Sequence, residues 1–281
     1  MKRALLSCIA MVAVCGIVPG LAAAQLILYD NFESKVLDAG KWTATESSAE
    51  GVDILESGRM LKSEPVYGFK GLDIFNRSYA DPGSNTGRSG SYSRVLFIDG
   101  SAIRTIQAKV VVKKYQATTC ATNTDATEPR VRIGGMFFNT GTAIPEDNTN
   151  DVFAFIAIGR PTDSTGPANV LTVYGIVSLC TNANCSTTTQ IHREEMGTVN
   201  KNQKVKVGIS WDPVNNQFAF QKGRTVQIWS NTAPVGDPPG TPRGGNKRLE
   251  INHLIPNCAG SLRPMSYMEA FFDDIKIETL P

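Results

Sequence analysis

Ile106, Ala108, Val110 and Val112 alternate with Gln107, Lys109, Val111 and Lys113, a period of two over a long run. Val205, Val207, Ile209 and Trp211 repeat the pattern against Lys204, Lys206, Gly208 and Ser210. A two-residue period places neighbouring side chains on opposite faces of an extended chain, so each run reads as a strand with an apolar face. Further strands are expected over Val52–Glu56, Arg59–Ser63, Tyr67–Phe75, Arg130–Phe138, Asp151–Ile158, Asn169–Leu179, Thr188–Glu194 and Gln217–Gln221, and Ile228 and Trp229 end another. Asp151–Ile158 is apolar on both faces, the mark of a strand covered from both sides. Helical periodicity is nearly absent, with one helical turn expected at Glu250–Leu254. About a dozen short strands between turn signals read as an all-β sandwich or barrel.

Thr43–Gly51 is a polar loop, Asp81–Gly90 a loop dense in turn formers, and Asp212–Asn216 (Asp-Pro-Val-Asn-Asn) a turn. The stretch 231–246 differs in kind. Pro234, Pro238, Pro239 and Pro242 remove backbone donors there, so it cannot be a central strand. Long loops of this type in compact domains are functional or disordered.

Lys2 and Arg3, the apolar run Ala4–Val18, Pro19-Gly20 and Ala22-Ala23-Ala24 make a secretory signal peptide, residues 1–24, cut after Ala24. Export then places the mature protein in the periplasm, outside the cell or on its surface. The apolar run is too short for a comfortable membrane span, and no later stretch is long enough. Without Lys2 and Arg3, the 28 basic residues of the whole chain only match its 26 acidic ones. A neutral balance leaves no footprint for nucleic acid or anionic membrane. Four cysteines remain beyond the leader: Cys120, Cys180, Cys185 and Cys258. In an exported chain they read as two disulfides, for which three pairings exist. Cys180 and Cys185 fit a bridge across a hairpin loop, which leaves Cys120 with Cys258. A zinc site has no Cys-x-x-Cys to build on, and both histidines lie elsewhere.

Two stretches at opposite ends of the chain belong together. Tyr29–Trp42 opens with Asp30-Asn-Phe32 and ends in Lys41-Trp42, while Phe271–Glu278 reads Phe-Phe-Asp-Asp-Ile-Lys-Ile-Glu. An Asp-x-Phe opening, a Lys-Trp some ten residues on, and a closing Asp-x-Ile-Lys-Ile strand resemble the concanavalin A-like (laminin G-like) jelly rolls. The hairpin Trp211-Asp-Pro-x-x-Asn216 is similar to one common in that superfamily. The resemblance implies a single antiparallel jelly-roll sandwich over residues 25–281 whose first and last strands are neighbours. The Pro/Gly-rich stretch then becomes an excursion over one rim.

The resemblance does not assign an activity. Glucanases of this fold carry Glu-x-Asp-x-x-Glu on one strand, where alternate residues share a face and flank the glycosidic bond. Glu50, Asp53 and Glu56 come near this pattern, but one extra residue separates the first two; Asp274, Lys276 and Glu278 form a row interrupted by a lysine. Gln190-Ile-His192 is similar to the Gln-Ile-His of jelly-roll alginate lyases, making Gln190 and His192 weak catalytic candidates. The strand that should supply the lyase tyrosine offers Phe218 and Phe220 instead, so His192 is expected to face solvent without a role, like His253. The superfamily also implies structural calcium near the paired ends, with Asp30 and Asp273 as ligands. The oxygen-rich Glu146–Asp151 is a second place where calcium could bind, with a solvated turn as the preferred reading. For sugar binding, Trp229 is the platform candidate, with Tyr267 and Arg243 as rim partners. The expectation is an exported, non-catalytic carbohydrate-binding or adhesive module acting on a polysaccharide or surface glycan. The alternatives are a polysaccharide lyase or glycoside hydrolase on the same fold, and a structural envelope or matrix protein.

Overall fold

The computed structural model describes residues 26–43, 46–50, 52–141, 147–236, 247–260 and 262–279. The expected leader, residues 1–24, and Arg243 lie outside them. The strands are β1 (Ile27–Asp30), β2 (Glu46–Glu50), β3 (Asp53–Ser63), β4 (Lys70–Tyr79) and β5 (Arg88–Leu96). A single 3-10 turn, Gly100–Ala102, precedes β6 (Ile103–Ala117), followed by β7 (Glu128–Asn139), β8 (Asp151–Gly159), β9 (Val170–Cys180) and β10 (Thr188–Asn200). The chain continues through β11 (Lys204–Asp212), β12 (Gln217–Lys222), β13 (Thr225–Ser230), β14 (Arg248–Pro256) and β15 (Met265–Thr279).

These strands form two antiparallel sheets. One runs β13-β12-β11-β6-β15-β4-β3, with β1 added beside β15; the other runs β10-β9-β8-β7-β14-β5-β2. Each sheet therefore draws on both halves of the chain, in a jelly-roll sandwich. The alternating runs sit as their period requires: Ile106, Ala108, Val110 and Val112 meet Val207, Ile209 and Trp211 in the core between the sheets. Phe138 stacks on Trp211 with ring centroids 4.9 Å apart. At Gly175 the sheets approach so closely that a Cβ would lie 2.4 Å from the Phe220 ring, which is why that position has no side chain.

The two end motifs meet. Ile27 pairs with Ile277 and Asp30 with Ile275, so the first strand lies against the last. Asp30 explains the spelling of the opening motif. Its Oδ1 accepts the Phe32 backbone N–H at 2.8 Å, and its Oδ2 accepts the Trp42 indole N–H at 2.7 Å. The first bond holds Phe32 in the left-handed region, φ 54°, a conformation that costs a bulky residue energy unless something fixes it. Phe32, Trp42, Phe97 and Tyr29 then pack as one aromatic cluster against the core. The disulfides are Cys120–Cys258 and Cys180–Cys185.

Four local expectations give way. Glu250–Leu254 is part of strand β14, because its alternation of Leu249 and Ile251 with Glu250 and Asn252 has a period of two rather than 3.6. Val52–Glu56 and Arg59–Ser63 belong to one strand, β3, which runs through Ser57-Gly58; Phe75 packs where a Gly58 side chain would stand. The polar Thr43–Gly51 contains edge strand β2, and the loop 81–90 already begins β5 at Arg88. Edge strands and strands between two sheets tolerate polar residues that composition assigns to loops.

Lys247 is a charged residue enclosed in the interior. It is fully buried, donates from Nζ to the Met136 carbonyl at 2.8 Å, and lies 4.6 Å from the Phe137 ring centroid. Burial pushes its ammonium down from the ordinary 10.5 to about 7. Between those values the unfolded chain holds a proton that the folded chain has lost, so stability rises with pH across that window. Replacing Lys247 by Met removes the desolvation cost but leaves a carbonyl without its donor, for a net gain of about 2 kcal/mol at pH 7. The advantage should shrink as pH climbs towards 10, measured as denaturant midpoints for both proteins. A pH-independent difference would rule out the protonation account.

Candidate functional site

The seven-stranded sheet buries one face in the core and carries a cleft on the other. On β7, Val131 and Ile133 point inward while Glu128, Arg130, Arg132, Gly134 and Met136 point outward. On β14, Leu249 and Ile251 point inward while Arg248, Glu250 and Asn252 point outward. Strand register then assembles cross-strand rows. Arg248, Gly134, Phe155, Ile176 and Arg193 form one row, each residue facing the next across β14, β7, β8, β9 and β10. Arg94, Glu250, Arg132, Ala157 and Tyr174 form the next. Tyr92, Asn252 and Arg130 follow on β5, β14 and β7. Directly opposed residues share a face and touch, so the register alone brings these arginines together.

The result is a solvent-open cleft of about 720 Å³ across β5, β14, β7, β8, β9 and β10, lined by Arg88, Arg94, Arg130, Arg132, Arg193 and Arg248. Its floor is a second apolar cluster of Met136, Phe153, Phe155, Ala157, Tyr174 and Ile176. This is why β8 is apolar on both sides: Val152, Ala154, Ile156 and Ile158 serve the core, and Phe153 and Phe155 serve the floor. The guanidiniums lie over the rings. Arg132 sits 4.8 Å from the Phe155 centroid, Arg248 4.8 Å from Phe153, and Arg193 3.9 Å from Tyr174. Such contacts give about 0.5–2 kcal/mol each. Gly134, at φ 150°, leaves Arg248 and Phe155 without an intervening side chain; a Cβ there would collide with the Ala154 carbonyl. One wall comes from the loop that Cys180–Cys185 closes, through Asn184, Cys185 and Ser186, with Asn148 beside them.

Two buried carboxylates hold the inner cations, and the exposed Glu195 pairs with Arg193 at 2.9 Å. Glu250, wholly buried, pairs with both Arg132 and Arg248, the latter at 2.7 Å. Burial alone would raise its carboxyl, but the guanidiniums of Arg132, Arg248 and Arg94 outweigh burial and keep it below the usual range. Glu128 accepts the Tyr174 hydroxyl at 2.6 Å and lies 3.4 Å from Arg130. Its carboxyl is held low too, burial being overcome first by Arg130 and then by Tyr174. Arg132 is the strained member: burial pushes it down to about 9, Arg130 and Arg248 add to that, and Glu250 opposes it.

Of the residues singled out in the sequence, Gln190 lines this cleft and His192 does not. A register shift falls between them on β10. Such a bulge reverses which residues face which side, so the two side chains part. His192 was expected to face solvent; it is largely covered, its ring stacked on Trp229 at 4.6 Å with an interplanar angle of 8°. Burial lowers its pKa, and Glu194 acts against burial. Trp229 is correspondingly no exposed platform. It faces inward from edge strand β13 against Phe218 and His192, closing the gap between the sheet edges. Tyr267 is buried on the outer face of the same eight-stranded sheet, bonded to Glu269 at 2.9 Å under Arg77. Register places Trp229 near the Arg104 end of β6 and Tyr267 beside Gln116, roughly 40 Å apart at a strand's rise. They cannot share a ligand.

Asp30 and Asp273, expected as calcium ligands, differ in their surroundings. Asp30 spends both oxygens on Phe32 and Trp42 at the core side, whereas Asp273 neighbours Asp274, Lys109 and Lys204 on the outer face. Among the described residues no group of three or more His, Cys, Asp or Glu converges. Glu50 lies on β2 and Asp53 on β3, in different sheets, so the near-miss hydrolase pattern is split. His253 is buried, bonds Ser78 at 2.9 Å through Nδ1, and is pushed down to about 3 by burial and then by Arg130. The cleft arginines went unnamed in the sequence because each strand supplies only one or two of them. Glu128-x-Arg130-x-Arg132 and Arg248-x-Glu250-x-Asn252, charge alternating with apolar residues, were the available signal.

No protein-family model and no curated protein matches the chain. Solved structures do resemble it in fold. A β-glucanase of Bacillus licheniformis superposes with a TM-score of 0.44 at 10% identity, covering 92% of this chain and 99% of its own. LamAcat from Zobellia galactanivorans gives 0.41 at 10% identity, over 89% of this chain and 96% of its own. The carbohydrate recognition domain of Emp46p gives 0.37 at 14% identity, over 88% and 96%. These likenesses concern the course of the chain, and no residue's role is carried over from them.

Replacing Glu250 by Gln leaves two buried guanidiniums without their shared counter-ion. The expected cost is about 3 kcal/mol of stability, read from urea unfolding. Because the cause is unneutralised positive charge, the gap to the parent protein should narrow in sulfate relative to chloride at equal ionic strength. An identical gap in both salts would count against the electrostatic origin.

Proposed function

We propose that this protein is an exported carbohydrate-binding module that holds a polysaccharide chain along the cleft of the seven-stranded sheet. The observation that carries the reading is the shape and chemistry of that cleft. It crosses six strands, a width of roughly 24 Å at ordinary strand spacing, which exceeds a single sugar ring. Planar hydrogen-bonding groups line it: the guanidiniums, Asn148, Asn184, Asn252 and Gln190, with Ser178 and Thr188 between them. Sites for apolar ligands are lined chiefly by hydrophobic side chains. A wall of amides, hydroxyls and guanidiniums suits a ligand covered in hydroxyl groups instead.

A binding role is favoured over hydrolysis by the state of the carboxyls. A glycosidase needs one carboxyl raised enough to carry a proton to the leaving group. Glu128 and Glu250 are both held below the ordinary range. Lyase chemistry would need a proton-transfer base in the cleft, and His192 is turned towards Trp229. Two disulfides favour an oxidising, extracytoplasmic compartment.

Affinity electrophoresis against a panel of neutral and acidic polysaccharides tests the reading. At least one should retard the protein. Gln190→Trp, a bulky substitution at an exposed cleft residue that leaves charge untouched, should weaken that retardation at least tenfold with an unchanged far-UV spectrum. Retardation by no member of the panel, or equal retardation of the variant, overturns the assignment.

A further inference from the structure

We propose that the polysaccharide held in the cleft is acidic, recognised by arginine forks that bind its carboxylate or sulfate groups. This rests on the cleft being the glycan site and goes further by naming the ligand's chemical class.

The first ground is where the charge lies. Basic and acidic residues nearly balance over the whole chain, 28 against 26, yet six arginines converge on this one cleft. Arg132 and Arg248 share a single carboxylate, Glu250, which is sealed beneath them and closed to any ligand. Arg130 is paired with Glu128, and Arg88 lies at the mouth of the same cleft. An anion arriving from solvent would divide positive charge that the protein's own carboxylates only share. The downward push on Arg132 agrees with this, since burial and two neighbouring cations act on it together.

The second ground is geometry. A guanidinium stacked on an aromatic ring engages the ring through its flat face and keeps its N–H edge for hydrogen bonds in the plane. Arg132, Arg193 and Arg248 all lie over rings, those of Phe155, Tyr174 and Phe153; Glu250 takes part of the edge of Arg132 and Arg248, and Glu195 part of that of Arg193 at 2.9 Å, so a ligand anion shares these donors with them. The rings hold the side chains still before a ligand arrives, so less rotamer entropy is lost on binding. A planar fork with fixed orientation matches the two oxygens of a carboxylate, or two of a sulfate ester. The cross-strand rows repeat every second residue, about 7 Å along the strands, which spreads the forks over an extended ligand rather than one ion.

Calorimetric titration of the whole mature protein tests this, with polygalacturonate, its fully methyl-esterified form, dextran sulfate, dextran and single-stranded DNA as probes. Polygalacturonate should bind at least tenfold more tightly than its methyl ester, which keeps the backbone and removes the charge. Affinity for it should fall steeply between 50 and 500 mM NaCl, and Arg88→Gln with Arg193→Gln, both at exposed positions, should weaken it about tenfold and flatten the salt dependence. Binding to dextran sulfate alone upholds the acidic class and identifies sulfate esters as its source. Equal affinity for neutral and acidic polymers overturns the inference while leaving a glycan site in place. Tighter binding to single-stranded DNA than to any polysaccharide overturns it in favour of a nucleic acid ligand. Binding to none of the probes or to any neutral glycan defeats the glycan site itself.

Discussion

A strand has two faces, and the organisation of this protein follows from the seven-stranded sheet burying both. Its inner face must fill the space against the other sheet, which fixes Val131, Ile133, Leu249, Ile251 and the even-numbered apolar residues of β8 in place. Only the alternate positions remain for anything else. With Phe153 and Phe155 also apolar, the outer face cannot be left to water. It needs a cover that is both amphipathic and polar at its tip, and arginine meets that need. Its flat guanidinium covers a ring and still presents donors outward. The cleft is thus the solution to a burial problem created by β8, and its chemistry follows from that solution.

The architecture was legible from the sequence because its signals are local. Period-two runs specify strands wherever one face is buried, and Asp30, Phe32 and Trp42 spell a hydrogen-bonded and aromatic unit within fourteen residues of chain. Cys180 and Cys185 are close enough to leave little choice of partner. The cleft was not legible for the opposite reason. Its arginines come from β5, β7, β10 and β14, and only register makes them neighbours. Gln190 and His192 show the same limit in miniature. Two residues apart, they should share a face, and a single irregularity in β10 separates them. Trp229 failed as a platform because exposure at a sheet edge depends on what the opposite sheet places there, in this case His192.

The two outer faces of the sandwich use the same residue types to different ends. On the eight-stranded sheet, Lys113 pairs with Glu64, Lys109 with Asp274, and Arg104 with Glu278. Lys62 bridges Asp73 and Glu269, with Lys114 also on Glu269. Burial pushes Asp73 up to about 6 against the pull of Lys62, the behaviour of a carboxyl placed for packing and then neutralised by its partner. Cations and carboxylates are matched along that face, in pairs or short chains. Paired charges of this kind add little net stability, and they leave little field for a ligand to answer.

On the seven-stranded sheet the matching is of another sort. One buried carboxylate, Glu250, holds two guanidiniums from beneath, while Arg193 has an exposed carboxylate, Glu195, beside it. Depth decides the outcome. A carboxylate beneath an arginine stabilises its ionised form without blocking the donors on its outer edge, whereas a carboxylate beside it at the surface would occupy those donors. The same number of charges can therefore make an inert ionic lattice or a surface with directed positive potential, depending on which sign is nearer to water. In this protein the difference is set by register: Glu250 falls between Arg94 and Arg132 in one cross-strand row, over the covered interior of the sheet, and the arginines of three successive rows rise around it.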